Sequence, residues 1–140
     1  MHDDQTHTQI TNERQFEALF NYATLGIIVT DDEGRIIDFN KYAESQFGYS
    51  KEEITGKTVE VLIPSQFHSS HIKYRKEFYK HPEPRQMGHG RDLYALKKDG
   101  IQFPVEVSLS YYEIDGKTFV IAFVIDITVR KKNEIVVIEQ

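Results

Sequence analysis

The first regularly spaced apolar residues along the chain have the spacing of an α-helix. Four apolar residues within residues 12–23 recur at i, i+3, i+4 and i+7, which places them on one helix face. They are Phe16, Leu19, Phe20 and Ala23. Asn12 and Gln15 have the spacing of a capping box, so we expect this helix to begin at Asn12. Residues 1–11 are polar and without period, and we expect a disordered lead-in there.

Strand and helix signals alternate through the middle of the chain. Two β-branched runs are joined by a polar loop that ends at Gly34, a pattern typical of a hairpin. Ser50 and Glu53 form a second capping box, and Pro64 is typical of a helix start. These signals predict strands at residues 25–30 and 35–39 and helices at residues 40–49, 50–56 and 65–80.

The last third of the chain has the pattern of β-structure. The turn dipeptides Asp99-Gly100 and Asp115-Gly116 separate predicted strands at residues 90–98, 101–112 and 117–129. Apolar and polar residues alternate in the second strand, which predicts one buried face. In residues 119–127 the positions that point to either face of the strand are apolar. We therefore expect the third strand to be central, with both faces covered. Residues 130–140 fit either a helix that leaves the domain or a final strand.

The order of these elements predicts an α+β fold, with five antiparallel strands and helices over one face. A length of 140 residues fits one domain. The formal charge of -5 disfavours nucleic-acid binding, since no basic run exceeds Arg130-Lys131-Lys132. No apolar run approaches the roughly 18 residues of a membrane span, so we expect a soluble, cytoplasmic domain. The absence of cysteine excludes disulfides, thiolate metal sites and a flavin–cysteine adduct.

Several short motifs occur in a characteristic order along the chain. They include Asp38-Phe39-Asn40, Phe47-Gly48-Tyr49, Glu52-Glu53-Ile54, Lys97-Lys98-Asp99-Gly100, Phe103-Pro104-Val105-Glu106 and Asp126-Ile127-Thr128. In this order and spacing they resemble a PAS domain, and the resemblance covers residues 12–130. It implies strand order 2-1-5-4-3 around a ligand pocket, with a lead-in at residues 1–11, the sensor domain at 12–129 and an output linker or helix start at 130–140. Asp126 and Thr128 would form either a local turn or a coupling point to the output helix.

Residues 65–80 carry the candidate chemistry. Phe67, His71, Tyr74 and Phe78 fall on one face of the predicted helix, and His71 is strongly polar among them. A buried imidazole needs a partner for each ring nitrogen, or a metal for one of them. From the residues alone, His71 is a hydrogen-bonded core or pocket residue, a contact to another ligand, or a zinc ligand together with His68 and either His81 or His89.

Residues 63–104 are similar, without a gap, to the haem-binding PAS domains of nitrogen-fixation oxygen-sensor kinases. The resemblance implies haem b, with His71 at the proximal ligand and Arg91 at the arginine that responds to bound oxygen. It places Val107 and Leu109 on the distal wall. Tyr74 and Gln86 would also line the pocket, although Gln86 stands where those sensors carry an apolar residue. Arg91 fits a surface ion pair as well.

The sequence predicts a sensory domain of a larger signalling protein, such as a histidine kinase or a cyclic-dinucleotide enzyme. It carries no catalytic motif, so we expect no catalysis by the domain itself. One alternative is a ligand-free module that dimerises through Phe16, Leu19 and Phe20. Another is a receptor for an organic acid or aromatic molecule, with Gln86 and Arg91 as polar anchors.

Overall fold

The strands form one antiparallel sheet in which chain neighbours are often not neighbours in space. In this computed structural model, which describes residues 2–87 and 93–139, the strands are β1 (Gly26–Thr30), β2 (Ile36–Phe39), β3 (Arg85–Met87), β4 (Tyr94–Leu96), β5 (Gln102–Ile114) and β6 (Lys117–Asp126). Their order is β2-β1-β6-β5-β3, and β4 also pairs with β5. Because β3 and β4 together take the place of the third strand, the predicted order 2-1-5-4-3 is confirmed.

Helices precede, connect and follow the strands. They are α1 (His2–Tyr22), α2 (Lys41–Phe47), α3 (Lys51–Ile54), α4 (His68–Lys80) and α5 (Thr128–Glu139), with two 3₁₀ turns at Val59–Leu62 and Ser65–Phe67. The Ser50–Glu53 capping box forms at the start of α3. Gly48 ends α2 in the left-handed conformation, with φ 81°. Of the two forms expected after the last strand, the structure has the helix, α5. None of the described helices is long and apolar enough to cross a bilayer.

The first helix differs from its prediction. It begins at His2 rather than Asn12, where the sequence predicts the end of a disordered lead-in. Residues 6–15 are exposed, so this part of the helix has no buried face to produce an apolar period. Phe20 is the first residue of α1 that reaches the core, with 8% of its surface exposed.

The core lies between the inner face of the sheet and the helices. The ring of Phe47 packs 6.0 Å from that of Phe39 and 5.3 Å from that of Phe103, measured between centroids. On the outer face, β6 is central as predicted, but its outer side is only partly covered. Ile125 remains 45% exposed there, so the expectation that both faces are covered is wrong for this end of the strand.

Asn40 joins the end of α1 to the sheet and to α2. It is fully buried, and its Nδ2 donates to the carbonyl oxygens of Phe20 at 2.8 Å and Leu25 at 3.1 Å. Its Oδ1 accepts from the backbone N–H groups of Ile27 at 2.8 Å and Ala43 at 3.0 Å. Each polar atom of the side chain is therefore used twice, and this one residue links the end of α1 to β1 and α2.

Candidate functional site

His71 is paired with a buried carboxylate that the sequence analysis did not single out. Its Nδ1 lies 2.7 Å from Oε2 of Glu60, which belongs to the 3₁₀ turn Val59–Leu62 and is 4% exposed. The side chain of His71 keeps 29% of its surface exposed. Within residues 2–87 and 93–139, Nε2 of His71 has no hydrogen-bond partner.

Arg75 completes this cluster from one turn further along α4. Its Nη2 donates to Oε1 of Glu60 at 2.9 Å and its Nε to Oε2 at 3.1 Å. Its Nη1 donates to the carbonyl oxygen of Glu33 at 2.9 Å. The guanidinium group lies so close to Gly34, which has φ 78°, that a Cβ atom there would stand 2.5 Å from it. The cluster therefore ties α4 to the turn between β1 and β2.

The charges of the cluster follow from its surroundings. Burial raises the pKa of Glu60, but hydrogen bonds from Arg75 and His71 outweigh burial and leave this pKa below its usual value. Burial lowers the pKa of His71, and the attraction of Glu60 only partly offsets this effect. At neutral pH the arrangement is an ionised Glu60, a charged Arg75 and a neutral His71.

The face of α4 that packs inward differs in part from the predicted stripe. Phe78 is buried at 3% exposure, as predicted, but Phe67 is 46% exposed because it belongs to the preceding 3₁₀ turn and is out of phase with α4. Tyr79 packs inward instead: its hydroxyl lies 3.0 Å from Oγ1 of Thr30 and also donates to the carbonyl oxygen of Asp31. This contact ties the C-terminal half of α4 to the end of β1.

His68 and His71 have different partners. Nε2 of His68 lies 2.7 Å from the carbonyl oxygen of Ile63, so this nitrogen is engaged. Among the described residues, no group of three or more histidine, aspartate or glutamate side chains is arranged to hold a metal ion. A zinc site on this helix therefore has no support from the geometry of the described chain.

The two predicted wall residues lie on the inner face of the sheet. Leu109 pairs with Ala122, which pairs with Ile28, so these residues share the inner face with Thr30. Val107 lies on the same face and packs against the core. Both predicted wall residues, Val107 and Leu109, are half-buried.

Of the remaining predicted pocket residues, Tyr74 contacts Arg85 at the start of β3. The hydroxyl of Tyr74 accepts from Nη1 of Arg85 at 3.4 Å, and that guanidinium group lies 5.9 Å from the centroid of the Tyr74 ring. Gln86 lies on β3 opposite Ser108. Its side chain, and the whole of Arg91, lie outside the described part of the chain.

Asp126 and Thr128 form a local turn at the start of α5. Oδ1 of Asp126 accepts from the backbone N–H of Thr128 at 2.9 Å and from its hydroxyl. The same junction is tied to β5, because the N–H of Ile127 donates to the carbonyl oxygen of Pro104 at 3.0 Å. Arg130 adds an ion pair with Glu106.

Two neighbouring apolar side chains, Phe16 and Leu19, form an exposed apolar patch on α1. Phe16 is 60% exposed and Leu19 is 76% exposed, whereas Phe20, predicted to share their face, is buried in its own domain. An open groove of about 1040 Å³ runs between α1 and the segment from β2 to α3, and Phe16, Phe20 and Lys51 are among its lining residues. This groove is separate from the site at His71.

Glu60 and Arg75 are the site residues that the sequence analysis missed. Glu60 is the single charged residue in the apolar run 59–63, and a buried charge requires a partner. Arg75 follows His71 at i+4 and so lies on the same helix face. The spacing therefore indicates that the side chains of His71 and Arg75 can contact the same carboxylate, but it does not identify that carboxylate as Glu60.

Comparison with known proteins agrees with this architecture. A family model described as a PAS domain matches residues 24–129. The sensor protein FixL of Bradyrhizobium diazoefficiens is 28% identical over 124 residues, covering 89% of this chain and 25% of FixL. The oxygen sensor protein DosP of Escherichia coli is 30% identical over 105 residues, covering 75% of this chain and 13% of DosP. The chain therefore spans a quarter or less of the length of these two relatives.

A solved structure gives the same result for the fold. The PAS domain of an HTR-like protein from Haloarcula marismortui superposes with a TM-score of 0.73 at 22% identity, covering 90% of this chain and 99% of that one. The sheet order, the helices over one face and the matched family model lead to one conclusion. The chain belongs to the PAS domain family and is related to the PAS domains of sensor proteins.

Proposed function

We propose that this PAS domain is a sensory module that binds a small ligand between α4 and the inner face of the sheet and relays its state to an output domain. The observation that supports this most is the pairing of His71 with Glu60, which leaves Nε2 of His71 without a partner in the described chain. Haem b is the ligand whose chemistry best fits such a nitrogen.

The groups around His71 would suit a histidine that holds the iron of a haem. A histidine that binds iron usually donates its other ring N–H to a carboxylate, a carbonyl oxygen or water. Glu60 is such a carboxylate, 2.7 Å from Nδ1. Val107 and Leu109 offer apolar contact on the inner face of the sheet. Haem would supply an iron atom that takes up a diatomic gas, and similarity to an oxygen sensor protein supports this choice.

A path for the relay starts at α4. Arg75 connects this helix to the turn after β1 through the carbonyl oxygen of Glu33. β1 pairs with β6, and β6 leads through the turn at Asp126 and Thr128 to α5. A coupling free energy of about 1–3 kcal/mol between ligand and helix would give a response of roughly 5- to 150-fold. The output domain that would receive it is proposed to be a histidine kinase.

The absorption spectrum of the haem-reconstituted protein tests the proposal. We expect a sharp Soret band in the reduced state that shifts on adding oxygen and is lost in His71→Ala. A spectrum identical to that of free haem would overturn haem binding. A metabolite screen by thermal stabilisation would then test for an organic ligand, and Arg91→Ala is expected to abolish a genuine hit.

A ligand-free dimerisation module is a second candidate, favoured by the exposed apolar patch on α1. Phe16 and Leu19 are 60% and 76% exposed, and an apolar face of this kind is stabilised when a second copy covers it. Phe20 is not available for this contact, because it is buried within its own domain.

Sedimentation separates this candidate from the first. The double variant Phe16→Glu/Leu19→Glu is expected to be monomeric. Thr11→Glu/Ala18→Glu adds the same charge to α1 at exposed positions away from Phe16 and Leu19, and it is expected to remain dimeric. An unchanged sedimentation profile in the first variant would overturn dimerisation through α1 and leave ligand binding untouched.

A further inference from the structure

We infer that Glu60 is a positioning residue for His71: it fixes the imidazole in the Nδ1–H tautomer and so presents Nε2 as an unprotonated donor atom to a metal centre. This inference rests on the proposed function for the identity of that centre, a haem iron. The tautomer itself follows from the contacts of the chain alone.

The direction of the hydrogen bond decides the tautomer. An ionised carboxylate can only accept, so the 2.7 Å contact between Oε2 of Glu60 and Nδ1 of His71 requires the proton on Nδ1. In a neutral imidazole the other nitrogen, Nε2, then carries a lone pair. A lone pair is what a metal ion requires from a histidine ligand.

Arg75 makes this arrangement rigid. It donates to both oxygens of Glu60, at 2.9 Å and 3.1 Å, so the carboxylate cannot rotate away from His71 without losing two charge-assisted hydrogen bonds. The side chains of Glu60 and Arg75 are only 5% and 15% exposed, which limits competition from water. The ring of His71 is therefore fixed by Glu60, and Glu60 is in turn fixed by Arg75.

His68 provides an internal comparison on the same helix. Its Nε2 lies 2.7 Å from the carbonyl oxygen of Ile63, and a carbonyl oxygen also only accepts. The proton of a neutral His68 is therefore on Nε2, the opposite tautomer from that of His71. Two histidines three residues apart are expected to show opposite tautomers in one protein.

Long-range ¹H–¹⁵N NMR spectra of the ligand-free chain test the inference. We expect the Nδ1–H pattern for His71 and the Nε2–H pattern for His68, with each signal assigned by its loss in a glutamine variant. An Nε2–H pattern for His71, or one averaged over both tautomers, would overturn the positioning role. Glu60→Met is expected to abolish the fixed tautomer of His71 and leave that of His68 unchanged. The double variant Glu60→Met/Arg75→Met also removes the charge of Arg75, which loses its carboxylate partner in Glu60→Met. It replaces the single variant in this test if the single variant does not fold.

Haem affinity gives the second readout. Loss of a residue that orients a metal ligand typically weakens metal binding by about 10- to 100-fold. We expect a loss of this size in the folded Glu60 variant and an unchanged haem affinity in His68→Gln. Equal affinity in wild type and Glu60 variant would overturn the inference even where haem binds through His71. Failure of the wild type to bind haem would overturn the proposed haem site, while the tautomer would still be decided by NMR.

Discussion

The guanidinium group of Arg75 donates to both oxygens of the Glu60 carboxylate, across fifteen residues of chain and between two different helical segments. The same carboxylate is the partner of His71, so one buried acid in the 3₁₀ turn Val59–Leu62 holds two side chains of α4. A buried charge that loses its partner is costly, and this gives the pair a measurable role in stability.

Arg75→Met is expected to lower the free energy of unfolding by about 3–5 kcal/mol, because it leaves Glu60 buried with only His71 as a partner. Arg35→Met is the comparison on the surface. Arg35 pairs with Glu33 at 3.6 Å and its Nη1 donates to the carbonyl oxygen of Gly56 at 2.9 Å, and because the side chain is half-exposed the loss of both contacts should cost about 1 kcal/mol. Urea unfolding of both variants measures the difference. Equal losses would contradict a structural role for the Glu60–Arg75 pair.

Stability is expected to fall on acidification in two stages. His71 has an ordinary pKa of 6.5 in the unfolded chain and a lower one in the folded chain, where Glu60, Arg75 and His68 surround it. Below pH 6.5 the unfolded state therefore binds the proton first, and stability decreases by at most about 1.4 kcal/mol per pH unit. Glu60 acts at lower pH: its stabilising contribution is present above 4.5 and is lost as the pH falls through its depressed folded pKa.

Urea unfolding from pH 7.5 to well below 4.5 measures both stages. In His71→Gln the decrease that begins near pH 6.5 should be smaller than in the wild type. A pH profile that is the same in both proteins would show that His71 titrates in the folded chain as it does in the unfolded one, against the burial described here.

Asn40→Asp is expected to destabilise the fold by about 3 kcal/mol. It replaces the two N–H donors to Phe20 and Leu25 by a carboxylate oxygen that faces their carbonyl oxygens in a buried site. Asn21→Asp is the control, because Oδ1 of Asn21 only accepts, from the backbone N–H of Lys41 at 3.3 Å, and an aspartate keeps that contact. Similar losses in the two variants would contradict the account of how α1 is attached.

The junction between β5 and α5 is expected to loosen when Glu106 is replaced by glutamine. Its ion pair with Arg130 is partly exposed, so the effect is small, at most about five-fold faster amide exchange in the first turn of α5. The N–H of Lys131, which donates to the carbonyl oxygen of Ile127, is the reporter. Unchanged exchange at Lys131 would show that the contact between Ile127 and Pro104 is sufficient to hold the helix.

The features that the sequence predicted correctly depend on local chemistry. The Ser50–Glu53 capping box and the left-handed Gly48 each act within a few residues, so their patterns are visible in the chain. The alternation in β5 likewise predicted the buried side chains of Phe103 and Val105. The strand order followed from the resemblance to the PAS family rather than from any local pattern.

The features that it missed depend on contacts between distant segments. The first half of α1 has no buried face, so apolar periodicity could not reveal it. Phe20 shares the period of Phe16 and Leu19, yet only the packed structure shows that it turns into the core. Glu60 stands in an apolar run whose pattern says that it is buried, and its partners on α4 become evident only when the chain is folded.

A haem titration on three proteins tests whether His71 binds the iron of a haem. The wild type, His71→Ala and His68→Ala are titrated in the reduced state, and the Soret absorbance is followed to saturation. The account predicts one haem per chain in the wild type and in His68→Ala, and loss of the specific band in His71→Ala alone. Retention of the band in His71→Ala, or its absence in the wild type, would contradict it.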